Sequence, residues 1–170
     1  IIDTLSGLGF HQIYSNSLQS ENIANFPNKN SVPMMNPLSK DMSFLRTSLL
    51  PGLVKAADHN IKNSTNSFKL YELDSVHTQS GNKIEDIKKN IRLSGIVVGN
   101  EIDETVHTDT ISYNIFSIKG YIYALLNEKL HLSISIEKAE NNLYDEAYNI
   151  LIEENVVGTF GKLSKKLFKI

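Results

Sequence analysis

Arg46, followed by Thr47 and Ser48, is the side chain in this 170-residue sequence with the most chemistry to offer. A guanidinium presents a planar fork of donors that grips a carboxylate or a phosphate through paired hydrogen bonds. The same fork can close an ion pair or brace carbonyls inside a domain or at an interface, and because structural ion pairs are common, bracing is the expectation. On that reading, Arg46→Ala leaves buried partner groups unpaired at a cost of about 1 to 3 kcal/mol. The only other arginine is Arg92. Other chemistry has little material. There is no cysteine, so thiolate nucleophiles, thiolate zinc sites and disulfides are excluded. The histidines, His11, His59, His77, His107 and His131, are scattered, and no two show the i, i+4 spacing of a helical metal site. Glu101, Asp103, Glu104 and Asp109 lack the alternating ligands and glycine of an EF-hand loop and read as a solvated acidic loop. Gly95 and Gly99 flank an apolar strand with no helix start after it, which excludes a dinucleotide fingerprint. Tyr121 and Tyr123 read as helix faces rather than a base-stacking platform. No catalytic, cofactor-binding or metal-ligating residue is therefore expected in the chain.

The balance of 17 basic and 19 acidic residues, net -2, argues against a chain whose main task is neutralising phosphates. Lys162, Lys165, Lys166 and Lys169 make a basic end that would add only weak, salt-sensitive affinity for a nucleic acid. A hydrophobic fraction of 41% with 21% charged residues suits a packed soluble core, and the length suits one domain spanning 1–170. The longest apolar runs, Ile96 to Val98 and Tyr121 to Leu126, are far too short to span a bilayer. The opening Ile1-Ile2-Asp3 has neither a methionine nor a basic segment ahead of an apolar one, so no signal peptide is expected and the chain reads as cut from a longer one.

These residues must be positioned by a recognisable set of elements. Ile1, Ile2, Leu5 and Leu8 fall at helical spacing before Gly7 and Gly9. Phe10 to Tyr14 reads as a strand, and the Asn- and Ser-rich stretch from Ser15 to Ser31 as a loop, since such side chains compete for backbone hydrogen bonds. Ser48, Pro51, Leu53, Val54, Ala57 and Ile61 predict a capped helix that ends near Asn63. Phe68 to Leu73 and Arg92 to Val98 predict strands, the second suited to a buried position, around a Gly81-Asn82 turn. Tyr113 to Phe116 reads as a strand, Ile118 to Leu126 as a helix, Leu132 to Ile136 as a strand, and Tyr148 to Ile152 with Val156 to Phe160 as a hairpin turning at Glu153-Glu154-Asn155. About six strands and three helices without β-α-β alternation predict an α+β fold, an antiparallel or mixed sheet with helices on one face.

The eighteen residues from Asn36 through Pro37, Leu38, Ser39, Leu45, Arg46, Thr47, Leu50 and Pro51 to Leu53 closely resemble a signature of the phenylalanyl-tRNA synthetase beta subunit family. Two further segments follow in that family's order. Phe68-Lys69-Leu70-Tyr71-Glu72-Leu73 resembles its strand ending in an acidic position, and Ile115-Phe116-Ser117-Ile118-Lys119-Gly120 resembles its Phe-Asp-x-Lys-Gly element. Ser117 stands where an aspartate is common, and Leu163-Ser164-Lys165-Lys166 replaces a Leu-His-Pro ending.

The resemblance implies a class II aminoacyl-tRNA synthetase-like module, noncatalytic, that packs against the catalytic alpha subunit. The whole enzyme would be a cytoplasmic heterotetramer of two alpha and two beta subunits that attaches phenylalanine to tRNA using ATP and magnesium. Active class II cores resemble one another in holding phosphate with one arginine in a motif 2 strand and loop and another in a glycine-rich motif 3 helix. Here the strand ending Glu72-Leu73-Asp74-Ser75-Val76-His77 has no arginine, and no Gly-x-Gly-x-x-Arg follows near Gly158 and Gly161. Donors of this kind contribute about 3 kcal/mol each in the transition state, so the fragment alone is expected to be inactive. A degenerate but active adenylate-forming core is the enzymatic alternative, weakened by those missing arginines. A stand-alone RNA-binding module is the other, weakened by the acidic balance. By resemblance, class II cores pair through a motif 1 helix and the strand after it, the place Ile1 to Tyr14 occupies. Ile2, Leu5 and the surface from Asn36 to Leu53 are therefore the expected interface, and the isolated fragment is expected to self-associate.

Overall fold

The computed structural model describes residues 1–81 and 83–165, so Asn82 of the expected turn and Lys166 and Lys169 of the basic end lie outside the described residues. Eleven strands and four α-helices are present among the described residues. They form two compact units: His11–Val98, and Ile1–Phe10 together with the chain from Gly99 onward.

The chain opens with α1 (Ile2–Gly7), which buries Leu5 and leaves Ile1 and Ile2 exposed. Gly9, at φ 80°, ends it. There the Gly9 and Phe10 N–H groups donate to Ser6 O and Leu5 O, a Schellman close in which a left-handed residue satisfies the last carbonyls.

In the His11–Val98 unit, β1 (His11–Gln12) runs parallel to a long strand further on, and β2 (Leu18–Gln19), the single-turn α2 (Glu21–Ala24), β3 (Val32–Pro33) and β4 (Phe44–Leu45) follow. α3 (Leu50–Lys62) then leads into the hairpin of β5 (Phe68–Gln79) and β6 (Ile87–Val98). The expected loop from Ser15 to Ser31 thus holds a short strand and a helical turn. Its side chains do compete for the backbone, Asn16 accepting from the Leu18 N–H and Asn25 from the Ser31 N–H, but they order the loop rather than leave it irregular. The sheets run β1-β5-β6 and β2-β4-β3. β5 and β6 pair without a break from Phe68 opposite Val98 to Gln79 opposite Ile87, so both are longer than their apolar cores suggest. The expected buried position of β6 is met only at its end: Ile96 is buried, whereas Ile91 is 64% exposed. β6 is an edge strand among the described residues, and α3 covers β5 and β6 by burying Leu53 and Ala57.

In the other unit, β7 (Asn100–Ile102) pairs with β8 (Ile111–Ser112), and α4 (Ile115–Ile122) continues in π-helical turns over Tyr123–Lys129. The strand expected over Tyr113 to Phe116 gives way to a helix start. The Asn114 side chain accepts from the Phe116 and Ser117 N–H groups, and this cap outweighs the apolar run. Phe10 meets Tyr121 edge to face at 5.3 Å. β9 (Ser135–Ala139), β10 (Tyr144–Ile152) and β11 (Asn155–Leu163) form an antiparallel sheet in the order β11-β10-β9. Glu153 and Glu154 turn the hairpin with φ of 49° and 68°, the pair of left-handed residues whose twist suits a two-residue connection.

Candidate functional site

Arg46 follows β4 directly, and its backbone is held on both sides: its N–H donates to Ser17 O, and its carbonyl accepts from the His77 N–H of β5. The side chain is wholly excluded from solvent. Glu72 and Asp74, two residues apart on β5, point to the same face of the strand and meet it. Nη1 lies 2.8 Å from Glu72 Oε1, and Nη2 lies 2.8 Å from Asp74 Oδ2. Nε donates to Ser75 O at 3.1 Å, and Nη1 also donates to Ser15 Oγ at 2.8 Å.

Glu72 is as buried as its partner. Besides Arg46, it accepts from the Ser15 N–H at 2.9 Å and the Ser15 hydroxyl at 2.8 Å. A buried carboxylate is tolerated only when its lone pairs are met in this way. Gly52, in the first turns of α3, makes room for the arrangement, since a Cβ there would run into the Ser15 side chain and stand 3.6 Å from Glu72 Oε2. The Asp74 carboxyl is held below the usual range, chiefly by the Ser75 N–H, with burial opposing and Arg46 adding. The network joins the segment after β1, the end of β4, strand β5 and the start of α3. Chemically it is a closed ion-pair brace: every guanidinium nitrogen already has a protein acceptor.

The other candidates divide into framework and surface. Thr47 is buried and donates to Ala24 O at 2.7 Å; Leu45 is half-buried between β2 and β3. Ser48 Oγ accepts from the Leu50 N–H at the start of α3, and Leu50 and Pro51 are half-buried in its first turn. Asn36, Pro37 and Ser39 are exposed, and Leu38 is 93% exposed. Ile2 and Leu5 belong to the other unit, the first exposed and the second buried. Ser15, Glu72 and Asp74 were not singled out from sequence. The i, i+2 carboxylates on a strand were the signal that would have marked Glu72 and Asp74 as partners for a buried arginine; nothing in the sequence marked Ser15.

Elsewhere, Glu101 accepts from Ser117 Oγ at 2.6 Å and Tyr121 OH at 3.1 Å, and burial followed by that carboxylate raises the Tyr121 phenol above its ordinary value. Among the described residues, no group of three or more His, Asp and Glu is placed to hold a metal ion. No described helix is long and apolar enough to cross a membrane.

Two structures of pyrrolysyl-tRNA synthetase from Desulfitobacterium hafniense superpose with TM-scores of 0.66 and 0.67 over 91% of this chain, covering 51% and 53% of theirs, at 9% and 10% identity. The chain therefore has the α+β fold of a class II aminoacyl-tRNA synthetase. It is 27% identical to a phenylalanine–tRNA ligase beta subunit from Desulfotalea psychrophila over 81% of this chain. It is 25% identical to one from Buchnera aphidicola over 95% of this chain, and 30% identical to one from Fusobacterium nucleatum over 80%. The alignments cover 18%, 21% and 17% of those relatives, so the chain spans about a fifth of their length. The family model described as the phenylalanyl tRNA synthetase beta chain CLM domain matches residues 1–169. By this match and the fold that carries it, the chain belongs to the phenylalanyl-tRNA synthetase beta chain CLM domain family.

Proposed function

We propose that residues 1–170 act as one noncatalytic structural module of a phenylalanine-tRNA ligase beta subunit. The module packs against the catalytic alpha subunit in a cytoplasmic enzyme that attaches phenylalanine to tRNA, with ATP and magnesium handled outside this module. The observation that carries the reading is the commitment of Arg46. Its Nε, Nη1 and Nη2 all have protein acceptors, two of them carboxylates that neutralise it, so it has no free fork for a triphosphate. The interface assignment draws support from exposed apolar groups on two of the expected surfaces, Ile2 on α1, and Met35 and Leu38 between β3 and β4. Leu45, Arg46, Thr47, Leu50 and Pro51 form the framework behind the second surface, and Leu5 anchors the first. Left without its partner, the chain self-associates through the same groups.

Co-expression with an alpha subunit and affinity capture test the reading, alongside phenylalanine-dependent pyrophosphate exchange by the chain alone. Capture of alpha with no exchange by the isolated chain is expected. Robust exchange by the isolated chain would overturn the assignment.

A further inference from the structure

The oxidisable sulfur of this chain is confined to one loop. There is no cysteine, and the three methionines, Met34, Met35 and Met42, fall within the ten residues, 34–43, that link β3 to β4. None lies in the core, which is built from Leu, Ile, Val, Phe, Tyr and Ala. The loop's backbone is held by its own hydrogen bonds. The Met34 N–H donates to Ser43 O at 2.8 Å, continuing the β3–β4 ladder by one step, and the Met42 N–H donates to Ser39 O at 3.1 Å. The Ser43 hydroxyl donates to Lys40 O at 2.8 Å. On this frame Met35 is 95% exposed, Met34 39% and Met42 38%, with Leu38 of the same loop at 93%. Single exposed apolar residues need no explanation, but four in one ten-residue loop are a concentration that does, and flexible thioethers suit a docking surface.

We propose that Met34, Met35 and Met42 form a sulfoxidation site, led by Met35, whose oxidation state sets whether this loop docks on the alpha subunit; the second half of this rests on the interface assignment above. The oxidant is a hydroperoxide. A thioether lone pair attacks the distal peroxide oxygen, the S–O bond forms as the O–O bond breaks, and the proton passes to the departing oxygen, which leaves as water or an alcohol. Sulfur is oxidised by two electrons and the peroxide is reduced by two. The product is a polar, chiral sulfoxide that methionine sulfoxide reductases return to the thioether. In a docked loop, the new oxygen requires a hydrogen-bond partner where apolar contacts had formed. With no thiol in the chain to compete, peroxide reaching it is spent at this loop, and docking then shields the site from further oxidation.

The test treats the full 170-residue chain with hydrogen peroxide, maps sulfoxide against time by peptide mass spectrometry, and measures binding to purified alpha subunit. Compared are untreated chain, oxidised chain, oxidised chain after reductase treatment, a Met34→Leu/Met35→Leu/Met42→Leu variant, and Met35→Lys. Leucine nearly conserves volume but cannot be oxidised. Met35 sulfoxide is expected ahead of that at Met34 and Met42. Oxidation is expected to weaken binding by about tenfold or more, since burial of one methionine is worth at least that, and the reductase should restore it. The triple-leucine variant should bind like the wild type before and after peroxide. Oxidation of Met35 no faster than of the other two, or unchanged binding by the oxidised chain, overturns the proposal. If Met35→Lys also binds unchanged, the docking assignment for this loop fails with it. If Met35→Lys abolishes binding while the sulfoxide does not, the redox site alone fails.

Discussion

Replacing Arg46 with alanine is expected to destabilise the chain by about 3 to 5 kcal/mol, the range for breaking a buried ion pair from one side. This exceeds the 1 to 3 kcal/mol expected from sequence, because Arg46 and Glu72 are both fully excluded from solvent. With the guanidinium gone, the Glu72 carboxylate keeps only the Ser15 N–H and hydroxyl as donors. Asp74 adds little, since its side chain is 39% exposed and water replaces the lost partner. Urea unfolding of the full chain at pH 7 measures the loss, with Glu72→Gln and an Arg46→Met/Glu72→Leu double variant alongside. Removing both charges should recover most of what the single change loses, because an apolar pair leaves no uncompensated charge. A loss below about 1 kcal/mol for Arg46→Ala, or a double variant no more stable than the single, would refute the reasoning.

Four further expectations concern other parts of the chain. His77 titrates below its ordinary 6.5 in the folded state, because of burial first and Lys89 second. The unfolded chain therefore binds a proton that the folded one refuses as pH falls below about 6.5. Stability should decline through that window, and His77→Gln should flatten the decline in urea midpoints between pH 7 and 5; an unchanged slope counts against it. Asp74, lowered from 3.8, acts at more acidic pH and does not obscure the effect. Asn114→Ala removes the α4 cap and should cost about 1 kcal/mol, read as a fall of about 2 to 4 °C in Tm. Gly161→Ala should cost on the order of 3 kcal/mol, because its Cβ would run into the Glu146 carbonyl and stand 3.0 Å from Ala147 Cα across β10 and β11. Gly7→Ala, with nothing within 4 Å, should be neutral or mildly stabilising in the same thermal melts.

Where apolar periodicity and local turn chemistry agree, the fold was legible from sequence. α3 runs to Lys62 with Asn63 as its cap, beside the expected end, and the β10–β11 hairpin turns at Glu153-Glu154. Where a side chain competes with hydrophobic pattern, the pattern misled: Asn114 starts a helix inside a run that reads as a strand. The full length of β5 and β6 was hidden because pairing between two long strands continues past their apolar ends into Asp74, Ser75, Lys88 and Lys89. At the site, Arg46 stood out by scarcity, but its partners are 26 and 28 residues away, and Ser15 is 31 away. The parallel pairing of β1 with β5 and the hydrogen bond from the His77 N–H of β5 to the Arg46 carbonyl bring them together.

Arg46 either braces the fold or serves the chemical step, and pyrophosphate exchange by the reconstituted enzyme carrying Arg46→Ala separates the two. Exchange is normalised to the amount of assembled enzyme, itself counted by native mass spectrometry. The prediction is a reduced yield of folded, assembled enzyme with unchanged exchange per assembled molecule. Normal assembly with exchange abolished would contradict it and place Arg46 in the adenylation chemistry.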